Sequence, residues 1–521
     1  MTTEEKNTLA AKGLSRRSIL KGAVAFGAVT ASGFALNMAM PGAAEAEIKK
    51  LPKKWDETWD VVVVGSGFAG LAAASAAAGA GSNVVVLEKM PTYGGNSIIN
   101  GGVYASWDDK YHYRNNLGLG VDSPKQHLDD TLKGGDYYNL PELVDVMVNG
   151  ATVALNWMID EGDAKIRPTV TRAGGHTAYR THSAVAGVGR EYTEALRKMA
   201  EKRGAKIILN SEVTWIWRQD ADSKSPVLGL EVKRGRRVLN IKAKKAVVLA
   251  SGGFSQDIKM RMAHNPRLVP EFNCTNHKGA TGETIRFAQA VGADTLQLNF
   301  IQLYPFAEPE TGILDTPAVY PFNGPGYGIV YVNKLGKRFV NELERRDVCA
   351  FAQINLGANM KPTWSIFSHP MVLKMGGSYE EIDAGVAKGR FIKADSINEL
   401  AGKLGLPTAA LGETINKHNK YLEEGKDPDF NKPITKVMIP LVAGPFYAVS
   451  QWPAVHHCMG GLRINKDGQV IDVFGSAIPK LYAAGEVAGG VHGSNRLGSN
   501  AIPDCVVFGR VAGTNAAGEK V

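Results

Sequence analysis

Apolar positions in this chain fall into short continuous blocks, not into alternation. Trp59-Asp60-Val61-Val62-Val63-Val64 is such a block, rich in β-branched residues. Continuity rather than alternation predicts a parallel strand buried on both faces. An Ala-rich stretch from Leu71 to Ala80 predicts a helix, and Asn83 to Leu87 a second strand. Two later blocks read the same way. Val247-Val248-Leu249-Ala250 runs into Ser251-Gly252-Gly253, and Leu481-Tyr482-Ala483-Ala484 runs into Gly485-Glu486. The run Ser396–Lys403 predicts a further helix. The Pro- and Gly-rich segment Glu308–Gly328 predicts a hinge or lid loop. No internal repeat or low-complexity tract follows residue 46.

The first 46 residues follow a different pattern. Ser15-Arg16-Arg17-Ser18-Ile19-Leu20-Lys21 precedes an uncharged run from Gly22 to Ala44, closed by Ala44-Glu45-Ala46. Basic region, apolar region and small-residue cleavage site form the layout of an export signal, and the arginine pair makes it a twin-arginine type. A membrane anchor is the alternative, since the run is long enough to span. Its Ala, Gly, Ser and Thr content and Asn37 weigh against that. Twin-arginine export carries folded proteins, often with a cofactor inserted, so a periplasmic cofactor protein is expected.

Composition narrows the picture. With 521 residues, 44% hydrophobic and 21% charged, the chain has the make-up of a folded soluble protein. That excludes a disordered chain, a coiled coil and a polytopic membrane protein. Glycine is in excess, at 59 residues, so many positions need tight turns or close backbone approach. The net charge of +9 allows a nucleic-acid partner or a basic exported enzyme. The second fits the signal better, and no nucleic-acid partner is expected. Cleavage after residue 46 removes five basic and three acidic side chains and leaves +7. Cys274, Cys349, Cys458 and Cys505 are far apart, without C-x-x-C or C-x-x-C-H spacing. Neither a disulfide scaffold, a covalent haem nor a metal site is expected.

The first block carries chemistry. Gly65-Ser66-Gly67-Phe68-Ala69-Gly70 directly follows the first strand and opens the helix, and Glu88 ends the second strand. Gly65 permits the turn, Gly67 lets a pyrophosphate approach, and Gly70 lets helix and strand pack. The helix N-terminus offers N–H groups to phosphate, and Glu88 can accept both ribose hydroxyls. Together these predict a dinucleotide site. Lys89-Met90-Pro91-Thr92-Tyr93-Gly94-Gly95-Asn96-Ser97 and the two later small-residue strand ends favour FAD over NAD, although each later strand read alone could be plain core.

The chain resembles the fumarate reductase/succinate dehydrogenase flavoprotein superfamily over about residues 58–520, within it the flavocytochrome c fumarate reductases and urocanate reductases. The resemblance is carried by Gly65–Gly70, Gly94-Gly95-Asn96, Gly174-Gly175-His176 through His182, and Thr275–Glu283. It continues through Asn341-Glu342-Leu343-Glu344-Arg345-Arg346-Asp347, His456-His457-Cys458-Met459-Gly460-Gly461 and Gly485 through Gly498. It implies an α/β fold: an FAD-binding, Rossmann-like (two-dinucleotide-fold) domain, 47–300 and 441–521, with an inserted α+β capping domain, 301–440. It also implies a cofactor-binding set of Gly65, Gly67, Ala69, Gly70, Glu88, Lys89, Gly95, Asn96, Ser97, Gly102, Val213, Ser251, Gly252, Glu283, Glu486, Asn500, Ala501 and Ile502. Non-covalent FAD is expected, because Asn96-Ser97-Ile98 offers no histidine for attachment.

The resemblance further implies that His457 and Arg496 clamp a substrate carboxylate and that Arg346 donates a proton. A salt bridge of Arg346 to Asp347 or Glu342 is the alternative. Tyr304 stands where the fumarate reductases carry a His, and their Glu-x-x-Arg proton relay is not visible. A dicarboxylate such as fumarate is therefore disfavoured. Tyr304, Tyr320 and Phe322 are expected to wall an aryl or heteroaryl end of the substrate, the alternative being core packing. Asp315, Glu344 and Tyr320 are candidates for the relay. The expected reaction is hydride transfer from flavin N5 to the β-carbon of an α,β-unsaturated carboxylate, with protonation at the α-carbon. Without a haem motif in the chain, a separate donor is expected, most simply a c-type cytochrome. A dehydrogenase of a neutral substrate such as a 3-oxosteroid, or an electron-transfer flavoprotein subunit, are the competing functions. Neither needs the clamp.

Overall fold

The apolar blocks read from the sequence meet in one sheet. In a computed structural model, which describes residues 49–220, 224–314 and 319–521, Glu57–Val64 lies at its centre. On one side it pairs in parallel with Val84–Leu87 and then Lys206–Ile208, and on the other with Arg237–Leu249 and then Ala477–Ala483. Gln469–Ile471 closes one edge antiparallel. Val61, Val62 and Val63 are fully buried, as a strand covered on both faces requires. An antiparallel meander, Ser211–Arg218 with Val227–Arg234, extends from Arg237–Leu249. The export-signal segment and Asp315 lie outside the described residues. Leu51–Val521 forms one compact unit.

The turn out of the first strand is fixed by space. Gly65 has φ +99, and a Cβ there would lie 2.4 Å from the Ala250 carbonyl oxygen. A Cβ at Gly70 would lie 1.9 Å from the Gly65 carbonyl oxygen. The helix Phe68–Gly79 therefore sits against the strand end only with glycine at both places. Its other side takes the C-terminal helix Ala501–Gly518 at close range. A Cβ at Gly513 would come within 2.2 Å of the Ala73 carbonyl oxygen. Gly70→Ala should cost about 1–3 kcal/mol of stability, as overpacking does, and reduce bound FAD. Thermal unfolding and the flavin-to-protein absorbance ratio measure both, and a variant with full FAD content and unchanged midpoint would contradict this account of the turn.

A second sheet is antiparallel, in the order Ile301–Ala307, Phe446–Cys458, Thr363–Ser368, Val330–Val332, with Ile392–Ala394 also on Phe446–Cys458. The thirteen-residue strand Phe446–Cys458 joins two regions. Phe446–Gln451 pairs with Thr363–Ser368, and Trp452–Cys458 with Ile301–Ala307, which sets Gln302 opposite His457. Around this sheet a second core gathers apolar side chains mainly of 301–440, with Val170, Ala173, Tyr179 and the strand Phe446–Cys458 contributing; Tyr331, Ile366, Phe367, Met371 and Tyr447 are fully buried. The helix Ile397–Leu404 forms as the sequence predicts, capped by Ser396 Oγ accepting from the Glu399 N–H. Within 308–328, the described residues include the short helices Val319–Asn323 and Pro325–Tyr327.

Candidate functional site

Two clefts meet beneath the N-terminus of the helix Phe68–Gly79. The first, about 920 Å³, is lined at the first strand end by Gly65, Gly67 and Ala69, and at the second by Glu88 and Lys89. Gly95, Asn96, Ser97, Val213, Ser251, Gly252, Glu283 and Glu486 line the rest. A Cβ on Gly95 or Gly252 would meet no protein atom, so both backbones face open space. Gly67 caps the helix without a side-chain bond; the Phe68 N–H donates to Ser97 Oγ at 2.9 Å, and the next N–H groups of the first turn are placed to meet a phosphate. Glu88 is oriented in advance: its Oε2 accepts from the Ser66 N–H at 3.0 Å and the Ser66 hydroxyl at 2.6 Å, and its Oε1 from the Met90 N–H at 3.0 Å. One lone pair on Oε1 stays open to accept from a ribose hydroxyl. Lys89 Nζ ties this strand end to Thr281 at 2.6 Å and to Glu283 at 3.0 Å. The cradle fits FAD.

Five residues of the expected cofactor set do not line this cleft. Gly70 packs beneath it. A Cβ on Gly102 would strike the Val188 carbonyl, 2.6 Å away. The buried Asn500 side chain is bonded to His127 Nε2 and Thr131 Oγ1, each at 3.0 Å. Ile502 lines the second cleft, as does Ala501, so Ala501 too stands outside the first.

The second cleft, also about 920 Å³, shares Phe68, Asn96, Ser97, Glu486 and Cys505 with the first. It brings together all four residues expected at the reaction centre: Tyr304, Arg346, His457 and Arg496. Arg346 opens the helix Arg346–Asn355, so the positive end of the helix dipole adds to its own charge. Its guanidinium lies 4.8 Å from the Tyr304 ring centre and 5.1 Å from that of Phe322. Both arginines meet one acceptor, Gln302 Oε1, at 3.2 Å from Arg346 Nη1 and 3.0 Å from Arg496 Nη2. The Gln302 amide is held the right way round by donating to Asn495 Oδ1 and the Arg496 carbonyl. Gln302 was not anticipated from the sequence.

Charge here is left open. Asp347 pairs with Arg345 at 2.6 Å, and Glu342 with Arg338 and Lys432 at 2.8 and 3.1 Å. Among the described residues, neither carboxylate pairs with Arg346, so the salt-bridge alternative does not hold. Burial pulls the Arg346 pKa down to about 10. Burial, then the nearby Arg346, pulls Arg496 well below its usual value. His457 is likewise held well below the usual imidazole value, by burial and then Arg496. Burial raises Glu486 to about 6, opposed by the Cys458 N–H at 2.9 Å, and raises Tyr304 to about 12, so its hydroxyl keeps its proton. Nε of Arg346, Nε of Arg496 and Nε2 of His457 are buried without a hydrogen-bond partner among the described residues. Unpaired buried donors are rare and costly, and an anion in the cleft would satisfy the two guanidinium Nε–H groups. The rest of the lining is mostly apolar, with Ile99, Val103, Leu314 and Ile502, alongside polar side chains such as Asn100, Thr275 and Ser499.

The expected aromatic wall needs one correction. Tyr304 and Phe322 face the cleft, but Tyr320 does not. It stacks on Phe367 at 5.4 Å and meets the edge of Phe391 at 5.2 Å, beside a separate small cavity with Arg167 and Glu381. Residues two apart on the helix Val319–Asn323 point to opposite sides. The relay candidates fare similarly: Tyr320 is turned away and Glu344 is exposed. No helix among the described residues is long and apolar enough to cross a membrane.

The FAD binding domain family model matches residues 60–502. The chain is 36% identical to urocanate reductase of Eggerthella lenta, covering 91% of this chain and 77% of that protein. It is 34% identical to the acrylate reductase flavoprotein subunit of Shewanella woodyi, over 96% and 97%. It is 36% identical to a cytochrome-type fumarate reductase of Shewanella frigidimarina, over 88% and 77%. The open conformation of a flavocytochrome c3 fumarate reductase superposes with a TM-score of 0.69 at 32% identity, over 97% of this chain and 81% of that one.

Proposed function

The chain belongs to the FAD binding domain family, in the fumarate reductase/succinate dehydrogenase flavoprotein superfamily, and from that premise we propose that it reduces the C=C bond of an α,β-unsaturated monocarboxylate bearing an aryl or heteroaryl group. It is an FAD-dependent oxidoreductase. One observation carries the reading of its substrate: two buried arginines, in no ion pair among the described residues, face a chamber of mostly apolar surface that opens on the cofactor cleft.

The Gly65–Gly70 turn, Glu88 and Ser251–Gly252 would hold the FAD, whose reduced form would supply hydride chemistry at the β-carbon. The chain's own residues do the rest. Arg496 and His457 hold the substrate carboxylate, the guanidinium matching its planar geometry, and draw charge out of the conjugated system as it develops. Arg346 delivers a proton to the α-carbon, and its lowered pKa suits the task. Gln302 keeps the two arginines together without neutralising either. The segment 301–440 acts as the cap that brings Arg346 over the substrate and excludes water.

The chamber explains why fumarate is disfavoured. Among the described residues, Arg346 and Arg496 are the cationic side chains lining it, Arg496 engaged at the one carboxylate and Arg346 at the α-carbon. A second carboxylate beside Tyr304, Phe322 and Leu314 would be buried without a cation to balance it, which is costly. Tyr304→His should raise kcat/KM for fumarate about tenfold or more, the worth of one charge-assisted hydrogen bond. Steady-state assays with fumarate and cinnamate check this, and unchanged substrate preference would remove Tyr304 from the specificity role.

FAD is held non-covalently. The mature protein works in the periplasm after twin-arginine export. It takes electrons from a separate c-type cytochrome, whose acidic surface would complement the +7 charge left after signal removal.

A further inference from the structure

His456 lines the substrate cleft but has no part in the carboxylate clamp. Its ring lies 4.7 Å from that of Tyr304, and its Nδ1 lies 2.6 Å from Thr275 Oγ1. The neighbouring Asn276 decides which of these two atoms carries the shared proton. Asn276 Nδ2 donates to Ser255 Oγ and to the His456 carbonyl oxygen, both at 2.7 Å. A carbonyl only accepts, so the orientation of the amide is fixed, and Asn276 Oδ1 is left to accept from the Thr275 hydroxyl at 3.2 Å. A hydroxyl has one proton to give. Having given it to Asn276, Thr275 accepts from His456. The imidazole proton therefore sits on Nδ1, and Nε2 presents a lone pair with no partner among the described residues. Burial and the charges of Arg346 and Arg496 keep the ring neutral.

On the reading that the chain reduces an enoate, we propose that His456 Nε2 is a specificity-determining acceptor, selecting substrates whose β-substituent carries an N–H or O–H donor. The chemistry around it favours this. Ile99, Val103, Leu314 and Phe322 give the chamber bulk without polarity. An oriented acceptor among them costs little when a donor meets it and much when an apolar group buries it. Sites built to bond a substrate O–H or N–H reject analogues lacking one far more strongly than apolar pockets reject an added group.

The test uses the FAD-loaded protein and two matched pairs, urocanate against 3-(2-furyl)acrylate and 4-hydroxycinnamate against 4-methoxycinnamate. In at least one pair the donor-bearing acid should have the higher kcat/KM, by about tenfold. In His456→Phe that ratio should fall to near one. Thermal stabilisation of the oxidised protein by the same acids should show the same preference, and its loss in His456→Phe. Wild-type protein that treats both members of each pair alike would overturn the proposal, and so would a preference that survives in His456→Phe. Because the wild-type comparison stands alone, a poorly folding variant does not shield the idea. Turnover of none of the four acids, nor of cinnamate, would instead strike at the enoate reading on which the proposal rests.

Discussion

Arg346→Ala lowers kcat by about 10³–10⁴-fold, the full worth of a general acid, while FAD remains bound. The loss falls on kcat because Arg346 is not in the cofactor cleft and the carboxylate clamp of Arg496 and His457 survives. Arg346→Lys does little better. A lysine cannot keep the planar contact between the Tyr304 and Phe322 rings while also reaching Gln302. The pH profile carries the second signature. A proton donor must be protonated, so kcat holds steady below the folded-state pKa of about 10 and falls as pH rises through it. Stopped-flow oxidation of the reduced protein by an enoate separates this step from substrate binding. An alanine variant that keeps more than a tenth of wild-type kcat would assign the proton to another group.

Arg496→Met produces a different pattern. Its kcat/KM drops by about 10²–10³-fold, chiefly through KM, as expected when one partner of a desolvated charge pair is removed. In the absence of an acid, however, the variant is more stable than the parent. Arg496 is a buried cation beside a second buried cation, and burial already pulls its pKa down. Replacing buried charge by a side chain of similar volume commonly stabilises, by about 1–4 kcal/mol. Calorimetry of the FAD-loaded proteins checks the sign, and a lowered midpoint would mean that Arg496 is already neutralised within the fold. Added cinnamate should raise the midpoint of the parent and leave that of the variant unchanged.

What the sequence makes legible here, and what it does not, follows the range of the interactions. The βαβ unit is local. The strand, Gly65–Gly70, the helix and Glu88 lie within about thirty positions, and the steric reasons for Gly65 and Gly70 hold in the fold. His457 and Arg496 are legible through their resemblance to a family pattern. Gln302 carries no such signal. Its role arises because the antiparallel register of Ile301–Ala307 on Phe446–Cys458 sets it opposite His457, a pairing across some 150 residues that no local pattern encodes. The network of Ser255, Asn276, Thr275 and His456 joins three separate segments for the same reason. Tyr320 misleads differently. An aromatic run reads as a wall, but in the short helix Val319–Asn323 positions two apart diverge, sending Phe322 to the cleft and Tyr320 into the cap core.

The central claim is that the paired arginines serve reduction of an enoate. It is tested most directly by following oxidation of reduced viologen by the purified, FAD-loaded protein with urocanate, cinnamates, acrylate, fumarate and enone steroids offered in parallel. The account predicts turnover of aryl- or heteroaryl-acrylates ahead of fumarate and none of the steroids. Turnover of an enone steroid with no enoate reduced would contradict it.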